Sequence, residues 1–386
     1  MALRYVVAVL AALTVALTSE ASKCVNLSPY PYEKEVRETD LPCPDKDQIM
    51  PCTCHTDTLG LMTMDCSLIH SNDELQRIFS FEFPFKHFYK LIIDHDPNDA
   101  ENILTEIHSD TFKKLTFQRV VIRGTQLQTI DENVFHDSHD TLNLFDLRNN
   151  KLSKFPFETL FLYSRLETLL LDNNNFGALE KFGSTSLRIL SIGYNSNLKF
   201  TNDVLEELPC IVTLNMDSIG LKYIPQHMFA NLTQVYSISF NNNDLTVLRE
   251  FSINPLLPTV GRLVLGNNRL SDFDQNSITG LKDNAIVDLT NNRITEMPEE
   301  LCKPFFEQVI NGMVDLTGND LTCGCDMSWL YLNTTTVDPT QRYLPIITKH
   351  TTCFDGTQVI YLDVHVFEKH CNEMSRHISL LDLENY

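Results

Sequence analysis

Residues 142–152 read L-N-L-F-D-L-R-N-N-K-L, and this line decides the fold. Its pattern, L-x-x-[LF]-x-L-x-x-N-x-L, recurs from Leu166, Leu187, Ile211, Val235 and Val260, with starts 21 to 25 residues apart. Weaker copies begin near Phe88, Phe117, Asn284 and Asn311. Alternate apolar residues turn one side of a short strand toward a core, and one copy cannot bury that side alone. The pattern therefore predicts an α/β solenoid of about nine or ten stacked coils.

The asparagine that ends each strand is predicted to point inward. Its amide can satisfy backbone groups of the neighbouring coils, which would otherwise be buried without partners. Three coils depart from the pattern, with Asp96, Thr125 and Ile219 where asparagine is expected. We expect these departures to interrupt the inward column of asparagines without changing the fold.

Eleven cysteines indicate a disulfide-bonded chain. Cys43, Cys52, Cys54 and Cys66 lie before the repeats, and Cys323, Cys325, Cys353 and Cys371 follow them. Each end of a stack of coils needs a cap over its core, and the two clusters fit that role. The one-residue spacings Cys52-Thr-Cys54 and Cys323-Gly-Cys325 are not the usual spacing of structural zinc ligands, so disulfides are favoured over metal.

Three further cysteines lie outside these clusters. Cys210 and Cys302 fall three coils apart, roughly 15 Å, which exceeds the ~7 Å between Cα atoms that a disulfide can span. They are not expected to pair with each other. Cys210 is predicted to be a buried free thiol, whereas Cys24 could pair between chains or with Cys302.

The chain begins with features of a secretory signal. Arg4 precedes an apolar run that is too short to cross a bilayer, and Ala21 offers a cleavage position. No later stretch reaches the length of a membrane span, so we expect a secreted, extracellular protein. The predicted segments are a signal peptide (1–21), a flexible lead-in (22–42), an N-terminal cysteine cap (43–87), repeats (88–321), a C-terminal cysteine cap (322–371) and a tail (372–386).

The net charge and the absence of common enzyme motifs limit the classes of partner and activity that the chain can have. With 30 Lys and Arg against 51 Asp and Glu, the net charge of −21 disfavours nucleic acid and anionic lipid as partners. The chain lacks the common hydrolase, zinc-protease, phosphate-binding and dinucleotide-binding motifs. We therefore predict a protein that is not an enzyme and uses no cofactor or metal.

The strand residues that alternate with the core should line the concave face. In the first half of the repeats they combine apolar and charged groups, and exposed apolar residues rimmed by charge are typical of interaction surfaces. We predict that a protein partner docks on this patch, formed by Val121, Arg123, Leu144, Asp146, Arg148, Leu170 and Asp172. Sequons predict glycans at Asn26, Asn231 and Asn333, with Asn231 on the convex return of its coil.

The repeats and both cysteine clusters resemble extracellular leucine-rich-repeat proteins over residues 43–371. The resemblance implies a horseshoe with a parallel concave sheet and disulfide-bonded caps. It also implies first-to-third and second-to-fourth pairing within each cap. The implied bonds are Cys43–Cys54, Cys52–Cys66, Cys323–Cys353 and Cys325–Cys371. Trp329, in the C-terminal cap, is expected to pack over the last coil.

A more specific similarity lies in the N-terminal cap, where the motifs are Met50-Pro-Cys-Thr-Cys54 and Met64-Asp-Cys-Ser67, and in Phe155-Pro-Phe-Glu-Thr-Leu160. These resemble the non-catalytic leucine-rich-repeat subunits of oplophorus-type (deep-sea shrimp) luciferases and their arthropod relatives. The resemblance implies a secreted protein-binding scaffold that accompanies a small secreted enzyme and carries no catalytic residue itself. The alternative is an extracellular recognition protein in signalling or innate immunity, with its ligand on the concave face.

Overall fold

A computed structural model describes residue 24 and residues 43–99, 101–332, 343–363 and 365–371. Most of the predicted signal peptide, lead-in and tail, together with Asn26 and Asn333, lies outside these residues. The chain forms two compact units. The first comprises residues 1–219 and 231–234, and the second comprises residues 220–230 and 235–386. The predicted domain boundaries stay predictions.

Each unit is built on a sheet with one strand from each coil. In the first unit the strands pair in chain order, antiparallel between β1 and β2 and parallel thereafter. They are β1 (Thr53–Thr56), β2 (Met62–Asp65), β3 (His87–Asp94), β5 (Thr116–Arg123), β7 (Leu144–Asp146), β8 (Thr168–Leu170), β9 (Ile189–Ser191) and β10 (Thr213–Asn215). In the second unit the parallel strands are β11 (Ser237–Ser239), β13 (Val260–Val264), β15 (Leu281–Asp288) and β16 (Met313–Asp315).

The return segments of the coils are irregular, with short strands and turns of helix. Two parallel pairs join neighbouring returns: β4 (Glu106–Ile107) with β6 (Thr129–Ile130), and β12 (Val247–Leu248) with β14 (Asp272–Phe273). The α-helices include α1 (Lys46–Ile49), α2 (Asn72–Ser80), α3 (Glu299–Phe306) and α4 (Trp329–Leu332), and residues 365–371 are helical as well. The 3₁₀ turns include His136–Ser138, Phe157–Leu162, Cys325–Met327, Leu344–Ile346 and Val359–Tyr361.

The alternation of side chains along each strand determines which residues form the core of the first unit. Neighbouring strands bring Leu91, Val120, Phe145, Leu169 and Leu190 side by side, and each is at most 2% exposed. A row of phenylalanine rings runs through the same core, and the centroids of successive rings lie 4.8 to 6.0 Å apart. Its members are Phe79, Phe112, Phe135, Phe145, Phe155, Phe157 and Phe176. Rings at these distances favour edge-on or offset contact, so this spine links one coil to the next.

The inward asparagines form the predicted column. Asn174 shows the pattern: its amide nitrogen donates to the carbonyls of Leu147 and Leu171, at 2.9 and 3.0 Å, and its oxygen accepts from the amide of Leu152 at 2.9 Å. It therefore satisfies backbone groups of two successive coils. Similar bonds are made by Asn150, Asn195, Asn268, Asn292 and Asn319, all at most 8% exposed.

The residue before most of the inward asparagines adopts a left-handed backbone. Asn149, Asn173, Asn242, Asn267 and Asn291 have φ between 51° and 59°. Asparagine tolerates this conformation better than most non-glycine residues. The Asn-Asn pairs of the repeat thus divide two tasks, since the first turns the chain and the second satisfies the buried backbone.

The three departures are accommodated differently. Thr125 is fully buried and donates to the Asn150 oxygen at 2.7 Å, so the column continues through a hydroxyl. Ile219 is also buried and fills its position with an apolar side chain. Asp96 is exposed, and after a longer turn the buried Asn102 donates to the Gly124 carbonyl at 3.3 Å. Asn102, not residue 96, therefore takes the inward place in that coil.

Both caps are closed by disulfides. Cys43 bonds to Cys54, Cys52 to Cys66, Cys323 to Cys353 and Cys325 to Cys371, the same pairing that the resemblance implies. Trp329 is 3% exposed and packs edge-on against Phe306 and Tyr343. Its indole nitrogen donates to the Met297 carbonyl at 2.8 Å, so the ring closes the C-terminal end of the second unit.

Two cysteine predictions are wrong. Cys210 is not a free thiol, and Cys24 pairs neither with Cys302 nor with another chain, because the two form a disulfide with each other, with the Cα atoms 5.4 Å apart. The pair is separated by 186 residues. Coil spacing limits which repeat residues can meet, but it places no such limit on a residue that precedes the stack. Cys302, in α3, is the free cysteine, and it is 1% exposed.

We expect Asn174→Ala to lower the free energy of unfolding by about 2–4 kcal/mol, because it leaves buried backbone groups of two coils without partners. The control is Asn175→Ala, whose side chain is exposed one residue later, with an expected change within about 0.5 kcal/mol. Urea unfolding followed by circular dichroism measures both. Equal losses in the two variants would contradict the role of the column.

We expect the native protein to show no thiol that reacts with an aromatic disulfide reagent, and one per chain after unfolding. Burial, and then the negative charges of Asp326 and Glu300, raise the pKa of Cys302 to about 12, so little of the reactive thiolate forms. Mapping of alkylated peptides should assign that thiol to Cys302. A labelled Cys24 or Cys210 would show that the long-range bond is absent.

Candidate functional site

The candidate site is the open face of the first unit, formed by the strand side chains that point away from its core. Strand register gives this face three rows. The central row is Ile92, Val121, Asp146, Leu170, Ser191 and Asn215. On one side of it lies a flanking row that contains Arg119, Leu144, Thr168, Ile189 and Thr213. On the other side lies a row of residues at or beyond the strand ends, which are Asp94, Arg123, Arg148 and Asp172. All seven residues predicted to bind a partner lie on this face.

A chain of ion pairs crosses the face. Arg123 pairs with Asp94, and its other terminal nitrogen lies 3.7 Å from an Asp146 carboxylate oxygen. Arg148 donates two hydrogen bonds to the same carboxylate, at 2.7 and 2.9 Å. The hydrogen bonds that Arg148 donates to Asp146 raise the pKa of Arg148, so this guanidinium stays charged. The two arginines are thereby held in fixed positions, with their side chains 32% and 38% exposed.

Two of the seven residues are less accessible than expected. Val121 is 7% exposed and Asp146 is 4% exposed. The two guanidinium groups on Asp146 shield its carboxylate, and Val121 stands between the neighbouring strands that carry Ile92 and Asp146. The alternation of side chains along a strand predicts the side of the sheet on which these two residues lie, but it does not predict that neighbouring groups shield them from solvent. A partner would therefore meet Arg123, Arg148, Leu144 and Leu170 rather than Val121 or Asp146.

Asp172 anchors a second polar cluster. One of its carboxylate oxygens accepts from the Ser191 hydroxyl at 2.6 Å, the Gly193 amide at 3.1 Å and the Asn215 amide at 3.3 Å. Burial nevertheless raises the pKa of Asp172 above its ordinary value, although these hydrogen bonds and Arg148 act in the opposite direction. Sequence reasoning left Ser191 and Asn215 out of the site, and register was needed to join them to Asp172.

An apolar strip that contains Leu144 and Ile189 follows one flanking row, on the other side of the central row from the arginines and Asp172. Leu144, Thr168 and Ile189 are neighbours in the flanking row, and Ile189 is 37% exposed. Leu170 is half-buried beside them. The acids Asp146 and Asp172 are each held by several donors, so the arrangement favours binding over acid–base chemistry. Fixed arginines beside apolar side chains are typical of protein interfaces.

The comparisons with known proteins agree with the architecture. A solved complex that contains latrophilin 3, Unc5D and the leucine-rich repeats of FLRT2 matches 75% of this chain and 83% of the matched chain, with a TM-score of 0.53 and 15% identity. The fold is that of leucine-rich-repeat proteins. At this identity the match shows the fold alone. No family model matches the sequence.

Among sequence relatives, the non-catalytic subunit of Oplophorus-luciferin 2-monooxygenase from Oplophorus gracilirostris is 29% identical over 341 residues. The alignment covers 88% of this leucine-rich-repeat chain and 90% of the shrimp subunit. Bovine keratocan is also 29% identical, but over 163 residues, which are 41% of this chain and 39% of keratocan. These similarities support a non-catalytic binding scaffold.

The structure also places part of the remaining sequence predictions. Asn231 is exposed in a turn between β10 and β11, outside the sheets. Asn26 and Asn333 lie outside the described residues. In the described part of the chain, no helix combines the length and apolar character needed to cross a membrane.

We expect Asp172→Asn to become progressively more stable than the wild type as pH rises from about 4 to 7. The folded pKa lies above the unfolded value, so the wild type favours folding most when Asp172 is protonated and loses that advantage as the pH rises through the folded pKa. Urea unfolding at several pH values measures the difference. Asn175→Ala, an exposed substitution in the same unit that changes no titratable group, should show no such trend. A difference that shrinks with rising pH would contradict the pKa direction.

Proposed function

We propose that this protein is a secreted, non-enzymatic scaffold that binds a small secreted enzyme as its accessory subunit. The similarity to the shrimp subunit carries the proposal, because it runs through 88% of one chain and 90% of the other. An alignment of that length extends beyond the repeats into the flanking caps. Partial matches such as that to keratocan support the scaffold but point to no particular partner.

We place the partner on the open face of the first unit. Arg123 and Arg148 are already immobilised by Asp94 and Asp146, so docking onto them costs little additional side-chain entropy. The apolar strip beside them supplies surface that water leaves on binding. The complementary patch on the partner would carry carboxylates or backbone carbonyls facing the arginines, and apolar side chains facing Leu144 and Ile189.

The predicted secretory leader and the five disulfides support an extracellular site of action. A glycan at the exposed Asn231 would lie on a return turn and leave the open face accessible. The large acidic excess of the chain favours a partner that is basic or neutral over its contact surface.

The first test is isolation of the disulfide-intact protein from the native secretory fluid, followed by mass spectrometry of co-purifying chains. We expect one small secreted enzyme in near-equal amount, with turnover belonging to that chain. A monomer that binds receptors or microbial material would instead support an extracellular recognition protein. Turnover by the purified scaffold alone would refute the non-enzymatic assignment.

With the partner in hand, we expect Arg148→Glu to weaken binding at least tenfold, because it places a negative charge beside Asp146 and reverses the charge offered to the partner. Arg165→Glu makes the same charge change at an exposed position before β8 and should leave affinity within about twofold. Surface plasmon resonance with both variants measures the ratio. Equal affinity for Arg148→Glu and the wild type would exclude the open face as the docking site.

A further inference from the structure

His70, His95 and Asp99 come together at the start of the repeats in the first unit. His70 lies just before α2, His95 follows β3, and Asp99 belongs to the longer turn of the first coil. One ligand atom from each lies within 4.8 Å of those of the other two. Across the described ranges, this is the one group of three or more potential metal ligands that comes so close.

Two ring nitrogens in this group have no hydrogen-bond partner. Nδ1 of His70 and Nε2 of His95 are both buried atoms without one. The nearest Asp99 oxygen is 3.6 Å from Nδ1 of His70, beyond normal hydrogen-bond length. Because buried polar atoms are nearly always bonded, two such nitrogens beside a carboxylate indicate that a missing group completes the site.

The backbone around the three side chains is held in place. The His70 amide donates to the Glu74 carboxylate at 2.8 Å, and the His95 amide donates to the Arg123 carbonyl at 3.0 Å. One oxygen of Asp99 accepts from the Glu101 amide at 2.9 Å, and the other faces His70.

The donor set selects the kind of ion. Two imidazole nitrogens and one carboxylate oxygen suit zinc, whereas calcium and magnesium prefer oxygen ligands. Bonds of about 2.0–2.1 Å to zinc place tetrahedral ligands about 3.4 Å apart, which requires movements on the order of 1 Å here.

We propose that His70, His95 and Asp99 bind one Zn²⁺, with water as the fourth ligand. The ion would tie the segment that precedes α2 to the turn of the first coil, so that the N-terminal cap and the repeats share a metal clamp. The site is separate from the docking role of the open face, and either can be refuted without the other.

The test uses the full secreted chain without a polyhistidine tag, stripped of metal by a chelator and titrated with ZnCl₂ in a calorimeter. We expect one saturable site and a rise in melting temperature on zinc addition. Cobalt(II) should bind in its place and give the visible absorption of a tetrahedral complex.

His95→Gln and Asp99→Asn should each weaken zinc binding at least tenfold, and Asn at residue 99 can still accept from the Glu101 amide. The control, His108→Gln, changes an exposed histidine between Glu106 and Asp131 and should leave the affinity unchanged. Circular dichroism of the metal-free variants verifies their folding. Absence of saturable binding, or equal affinity in the wild type and both site variants, would overturn the proposal.

Discussion

The buried asparagine amide is the interaction on which the rest of the structure depends. Each coil must turn its backbone out of a strand inside a core that water does not reach. The peptide groups at that turn need partners that the parallel sheet cannot supply. Asn174 and its equivalents supply them with one donor group and one acceptor, and each does so for two coils at once. Stacking and turning are therefore coupled through the same side chain.

Because one side chain serves both stacking and turning, the residues on the other side of each strand are free to vary. Core packing and the asparagine column use the inward positions, so the outward positions can carry arginine, aspartate or leucine without loss of the fold. The ion chain from Asp94 to Arg148 illustrates the result. Its charges largely neutralise one another, and the face can thus hold ordered arginines within a chain of strongly acidic composition.

Much of this architecture could be predicted from the sequence because it repeats. Periodicity located the strands, the inward column and the face on which Arg148 and Asp172 lie. Structural features that occur only once in the chain could not be predicted from this periodicity. The bond between Cys24 and Cys210 depends on the path of a segment outside the repeat, and the displacement of the inward place to Asn102 depends on the length of one turn.

Other features depend on geometry that spacing does not encode. The cover over Asp146 arises from the rotamers of two arginines, and the meeting of His70 with His95 arises from the same extended turn that moved Asn102. A departure from the repeat was visible at Asp96. It indicated an unusual turn, but it did not indicate which distant histidine that turn would approach.

The bond between Cys24 and Cys210 also has a mechanical consequence. It closes a covalent loop of 186 residues that contains the cap and most coils of the first unit. Tension applied to the two ends of the chain would pass through the sulfur atoms and bypass those coils. Roughly 600 Å of extended polypeptide would thus be withheld from stretching until the bond is reduced. The coils inside the loop would be protected from that load, while the coils after Cys210 would unfold one after another.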